Sequence, residues 1–128
     1  MSSISDHLSF HASSLRLRSK RNEILASNIA NAATPHFKAR DINFEEEIKK
    51  YEKIGPLNIT NTRHFSLPSQ NTFNDTLFRQ PLNPSLDGNT VELAVEQVEF
   101  SENVMRYQTS LTFLNNRISG LLSAIKGE

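Results

Sequence analysis

Phe100, Val104, Tyr107, Leu111, Leu114, Ile118, Leu121 and Ile125 follow one another in alternating steps of 4 and 3. That spacing puts every one of these side chains on a single edge of an α-helix. A lone helix cannot bury such an edge, so the pattern demands a second helix alongside. Val104, Ile118 and Ile125 place β-branched residues at one of the two heptad positions. Upstream, Asp87-Gly88-Asn89 is turn chemistry, and Asn89 with Glu92 three residues on reads as the opening of a capping box. A helix from about Thr90 to Lys126 would be ~55 Å long at 1.5 Å per residue.

The other end of the chain offers the partner. From about Ile4 to Ala32 there is neither Gly nor Pro. Leu8, Leu15, Asn22 and Ile29 recur at intervals of seven, and Phe10, Leu17 and Ile24 form a second line on another face. Two apolar faces predict more than one neighbour. Thr34-Pro35 ends the helix, because the residue before proline is pushed out of the α region. Asn22, Asn28 and Asn31 are poor helix formers. Buried amides in a seam fix register between helices when paired, whereas Asn28 and Asn31 also suit a fraying end. The residues alone leave both readings open.

Between these ends, residues 41–53 predict a short helix with Phe44, Ile48 and Tyr51 on one face and an acidic start that suits the helix dipole. Pro56, Pro68, Pro81 and Pro84 then interrupt every period. The segment from 58 to 84 reads as irregular, with short extended pieces at Leu57–Thr60 and Thr76–Gln80. The expected fold is all-α, with long terminal helices pairing as a coiled-coil-like hairpin, a short third helix and a long irregular middle loop. Residues 1–53 carry the first helix, the Thr-Pro turn and the short helix; 54–88 form an irregular or flexible linker; 89–128 form the heptad helix. Both termini together make one structural domain.

Composition narrows the function. The 14 Lys+Arg balance 14 Asp+Glu, which argues against a partner such as nucleic acid, held by bulk positive charge. The balance is uneven along the chain: residues 1–40 hold six basic and two acidic side chains. The absence of cysteine excludes disulfides, thiolate metal sites and a Cys nucleophile. No apolar run approaches the ~20 residues of a membrane span, and the first 20 residues show no secretory signal pattern. His7 and His11 are four apart, a spacing that can share a metal, but no third ligand is placed near them. Glu45-Glu46-Glu47 reads as a solvated helix start rather than an acid/base site. The glycines are scattered, so no phosphate loop forms, and no nucleophile elbow accompanies the serines. Arg16, Arg18, Lys20 and Arg21 lack interleaved aromatics and read as solvated or salt-bridged positions. The expectation is a non-enzymatic protein with no cofactor, no catalytic or metal residue, no small-molecule substrate and no nucleic-acid partner.

The run Ala26-Ser27-Asn28-Ile29-Ala30-Asn31, followed by Thr34-Pro35-His36-Phe37, resembles the N-terminal signature of bacterial flagellar basal-body rod proteins. Lys38–Phe44, Ser85–Val91 and the stretch from Phe100 to Leu111 are similar to a proximal member of that family, and the likeness covers about 1–53 and 85–127. The family usually carries Gly after Thr-Pro; here the residue is His36, which accepts positive φ less readily. The resemblance implies a structural subunit that polymerises through its terminal helices into the rod transmitting torque from the membrane ring to the hook. It implies periplasmic placement in the basal body and passage through the flagellar type III export apparatus without a cleavable signal. The implied partners are further copies, the rod proteins FlgC and FlgF, the adaptor FliE and the ring protein FliF. Alternatives are that the chain is itself FlgC, or a small helical export chaperone or adaptor. Signature and turn positions are then Asn28, Ile29, Asn31, Thr34, Pro35, Phe37, Asp87, Gly88 and Asn89. The packing and assembly positions are Leu8, Leu15, Ile29, Phe100, Val104, Tyr107, Leu111, Leu114, Ile118, Leu121 and Ile125.

Overall fold

The computed structural model describes residues 4–53 and 76–127, with side chains detailed over 8–49 and 76–127. Helix α1 spans Ile4–Ala30, strand β1 Arg40–Ile42, helix α2 Phe44–Lys53, strand β2 Thr76–Phe78 and helix α3 Leu93–Lys126. The fold is mainly helical. α1 and α3 hold 27 and 34 residues, about 40 and 51 Å at 1.5 Å per residue.

The ends of the elements have local causes. α1 stops where Asn31 turns its amide back to the Ser27 carbonyl at 2.8 Å and accepts the Thr34 hydroxyl at 3.1 Å. α2 is preceded by Asn43, whose Oδ1 accepts the Glu46 N–H at 3.4 Å. Three glutamates fill its first turn, where the dipole favours them. The helix expected from residue 41 therefore starts later, because Arg40, Asp41 and Ile42 are drawn into β1. β1 pairs antiparallel with β2, Arg40 opposite Phe78 and Ile42 opposite Thr76. The extended piece read at Thr76–Gln80 is thus a strand inside the linker that was expected to be irregular. The piece at Leu57–Thr60, and His64, lie outside the described residues.

α3 opens at Leu93 rather than Thr90. Glu92 takes the N-cap position without a side-chain capping bond, its Oε1 instead accepting the Asn83 N–H at 3.3 Å, and Asn89 serves elsewhere. The expected capping box does not form. At the far end Gly127 closes the helix at φ 77°, its N–H bonding Ser123 O at 2.9 Å.

α1 and α3 contact each other. Asn28 contacts Glu96, Arg21 contacts Glu99, and Asn22 contacts Asn103. From Asn28 opposite Glu96 to Asn22 and Arg18 opposite Asn103, the contacts run down α1 as they run up α3. Among the described residues, Leu17, Leu25 and Ala39 are fully buried, and Ile42 nearly so. On α1 the deepest positions are Leu17, Leu25 and Asn28, while Leu8, Leu15 and Ile29 are half-buried. The expected line through Leu8 and Leu15 is therefore the flank of the buried stripe.

Candidate assembly site at the joined helix ends

Asn28 holds the first half of the site together. It is 1% exposed. Its Oδ1 accepts the Arg40 N–H at 3.1 Å, and its Nδ2 donates to Arg40 O at 2.7 Å and to Glu96 Oε2 at 3.0 Å. One amide thereby ties α1 to β1 and α3. Burial without such partners would be costly, so an Asn near a helix end has become an interior hub rather than a frayed residue.

Asn89 does the same for the turn. Its Nδ2 lies 3.1, 2.9 and 3.0 Å from the carbonyls of Asn31, Ala32 and Thr34. These carbonyls belong to the turn that follows α1, where Asn31 O and Thr34 O also accept the Thr34 and Phe37 N–H. Its Oδ1 accepts the Val91 N–H at 2.8 Å. The backbone continues the join: His36 N–H bonds Asp87 O and Thr90 N–H bonds Phe37 O, each at 3.0 Å. Ala39 N–H donates to the Thr90 hydroxyl at 2.8 Å, and Lys38 Nζ to Gly88 O at 2.6 Å.

So the signature positions at 28, 31, 34 and 37 and the turn at 87–89 converge on one end of the helix pair. Ile29 sits half-buried beside them and Pro35 is exposed. His36 occupies φ 61°, the left-handed region in which glycine is at ease. Gly88 lies opposite at φ 74°, where an added Cβ would stand 3.0 Å from His36 Nδ1. Two substitutions should therefore act with opposite sign. Gly88→Ala should destabilise by about 1–2 kcal/mol, while His36→Gly should be neutral or gain up to about 1 kcal/mol. Thermal unfolding of the two variants checks both signs.

A charged network lies under this join. Arg21 forks onto Asp41, with Nε–Oδ1 and Nη2–Oδ2 both 2.8 Å, and reaches Glu99 at 2.8 Å. Arg79, just past β2, also donates to Asp41 Oδ2 and stands 3.3 Å from Glu96. Bonding to Asp41 is the largest influence on Arg21 and raises its pKa. Burial pushes the Asp41 carboxyl up, but the two guanidiniums and the Ile42 N–H outweigh it and hold the group below its usual range. Arg18 is half-buried with its guanidinium 4.2 Å from the centre of the Phe44 ring; desolvation, then Arg106 and Arg21, lower its pKa. Arg21 is salt-bridged, one of the two readings of the basic run, whereas Arg18 is covered by a ring that the run did not indicate. Glu47, read as solvated, is only 4% exposed.

On α3 the positions that α1 covers most completely are Glu96 and Asn103, both fully buried. Asn103 donates to Arg18 O at 2.9 Å and to Asn22 Oδ1 at 2.8 Å. These residues are seven apart, one step off the apolar seam. α1 therefore lies over one flank of the seam. Phe100, Val104, Tyr107, Leu114 and Leu121 are half-buried. Leu111, Ile118 and Ile125, which share one heptad position, remain 39%, 38% and 71% exposed. Sequence periodicity found the seam and missed Glu96 and Asn103; their own seven-residue spacing was the available signal. Among the described residues no three His, Asp or Glu side chains gather as metal ligands. His11 packs edge-on against Phe10 at 5.7 Å, and no described helix is long and apolar enough to cross a membrane.

Comparison with known proteins gives this arrangement a context. The family described as "Flagella basal body rod protein" matches residues 8–38, the stretch that ends in the Thr-Pro turn. The chain is 56% identical to the flagellar basal body rod protein FlgB of Cereibacter sphaeroides over 128 residues, all of both chains. It is 52% identical to FlgB of Aeromonas hydrophila over 122 residues, 92% of this chain and 91% of that one. With FlgB of Salmonella typhimurium the identity is 41% over 128 residues, 94% of this chain and 93% of the other. The chain belongs to the FlgB family of flagellar basal body rod proteins, structural components of the bacterial flagellum and not enzymes.

Proposed function

We propose that the chain is a subunit of the proximal rod, polymerising through its terminal helices into the shaft that carries torque from the membrane ring to the hook. In this reading α1 and α3 pair as a coiled-coil-like hairpin, and α3 keeps a second apolar edge for neighbours. The observation that carries it is that edge: Leu111, Ile118 and Ile125 stay 38–71% exposed with α1 in place. Apolar area left in water gains about 25 cal/mol per Å² when covered. Contacts that do not close into a ring build a helical filament. The polar ladder of Asn22, Asn28, Glu96 and Asn103 holds the register from which that edge is presented.

The neighbours in this reading are further copies and the rod proteins FlgC and FlgF, with FliE and the ring protein FliF at the membrane end. The subunit reaches the periplasmic rod through the flagellar type III export apparatus. A strain lacking this chain should be non-motile, with basal bodies that stop before the rod is complete, and plasmid expression of the chain should restore swimming. A deletion strain that builds complete rods and swims would contradict the assignment.

A further inference from the structure

Three carboxylates and two guanidiniums meet where the linker returns to the helices. Asp41 comes from β1, Glu96 and Glu99 from α3, Arg21 from α1, and Arg79 from the residue after β2. Arg21 is committed to Asp41 and Glu99. Glu96 is fully buried, and the amide of Asn28 satisfies its Oε2. Among the described residues its Oε1 has no hydrogen bond; its compensation there is the Arg79 Nη1 charge at 3.3 Å, too poorly aligned to count as one. Arg79 is itself fixed by the strand, since its N–H continues the ladder to Ala39 O at 2.9 Å.

The consequence follows from charge. In the folded chain, with α1 and β2 both in place, Glu96 is fully buried. Without Arg79 the group would hold three carboxylates against one guanidinium, and a buried carboxylate deprived of its partner is strongly destabilising. In turn, two strands of three residues cannot hold together on their own. We propose that Arg79 couples the seating of β2 to the pairing of α1 with α3, so that the linker strand and the helix pair form together. Coupling of this kind is reciprocal: pulling residues 76–79 away loosens the helices, and separating the helices frees the strand. The middle of the chain then acts as a conformational control on the ends.

Hydrogen exchange of the full-length chain, followed by mass spectrometry at neutral pH, tests this. Arg79→Ala should speed exchange at residues 76–79 and also, by about tenfold or more, across 17–28 and 93–104. Adding Glu96→Gln removes the stranded charge. The double variant should return both helices to within about threefold of the unaltered protein, while 76–79 stay fast. An effect of Arg79→Ala confined to 76–79, or no effect, would overturn the coupling. So would a double variant no better protected than the single one, or an unaltered protein without protection in the helices. Should Arg79→Ala fail to fold, recovery of helix protection in the double variant supports the proposal and continued unfolding overturns it.

Discussion

Replacing Asn28 with alanine should destabilise the chain by about 3 kcal/mol, comparable to truncating the buried Leu25. The reason is the number of groups left behind. The change removes an acceptor for the Arg40 N–H and donors to Arg40 O and Glu96 Oε2. An unsatisfied buried group costs about 1–3 kcal/mol, and a carboxylate stands at the upper end. Arg40 is exposed, so water recovers part of the loss on its backbone; Glu96 has no such relief. Asn22→Ala should cost only about 1 kcal/mol, because it removes one acceptor from Asn103. Urea denaturation gives both numbers from the shift in midpoint at constant slope. Equal effects at the two positions would show that Asn28 is not the hub.

Asn28 also shows where the sequence was legible and where it was not. The two long helices were written in their periods, and the Thr-Pro and Asp-Gly-Asn turns in their residue types. These are local signals, repeated many times. Which flank of the α3 seam meets α1 is not local. It depends on Glu96 and Asn103, polar residues that any hydrophobicity pattern assigns to solvent, and they are buried only because α1 brings Asn28 and Asn22 to them. The basic run allowed the salt bridges that Arg21 makes, but not the burial of Arg18, whose guanidinium is covered by a ring from another element. Asn89 sat at a plausible cap position, yet three carbonyls in the turn after α1 outbid the one turn it could have capped. In each case a contact across tens of residues decided the outcome.

The second large effect concerns assembly. Leu111 and Ile118 lie on the exposed edge of α3, 39% and 38% accessible beside α1. Aspartates there would remain partly hydrated in the single chain, so its own fold should change little. In a rod that covers this edge, two carboxylates would be buried without partners, a penalty of several kcal/mol for each. Leu111→Asp with Ile118→Asp should therefore separate folding from incorporation.

The most direct measurement is to express that double variant in a strain lacking the wild-type chain, then isolate basal bodies and assay swimming. The account predicts a stable, exported subunit that is absent from the rod fraction, with no motility. Normal incorporation and normal swimming would contradict it, because the exposed edge of α3 could then not be the surface on which the rod is built.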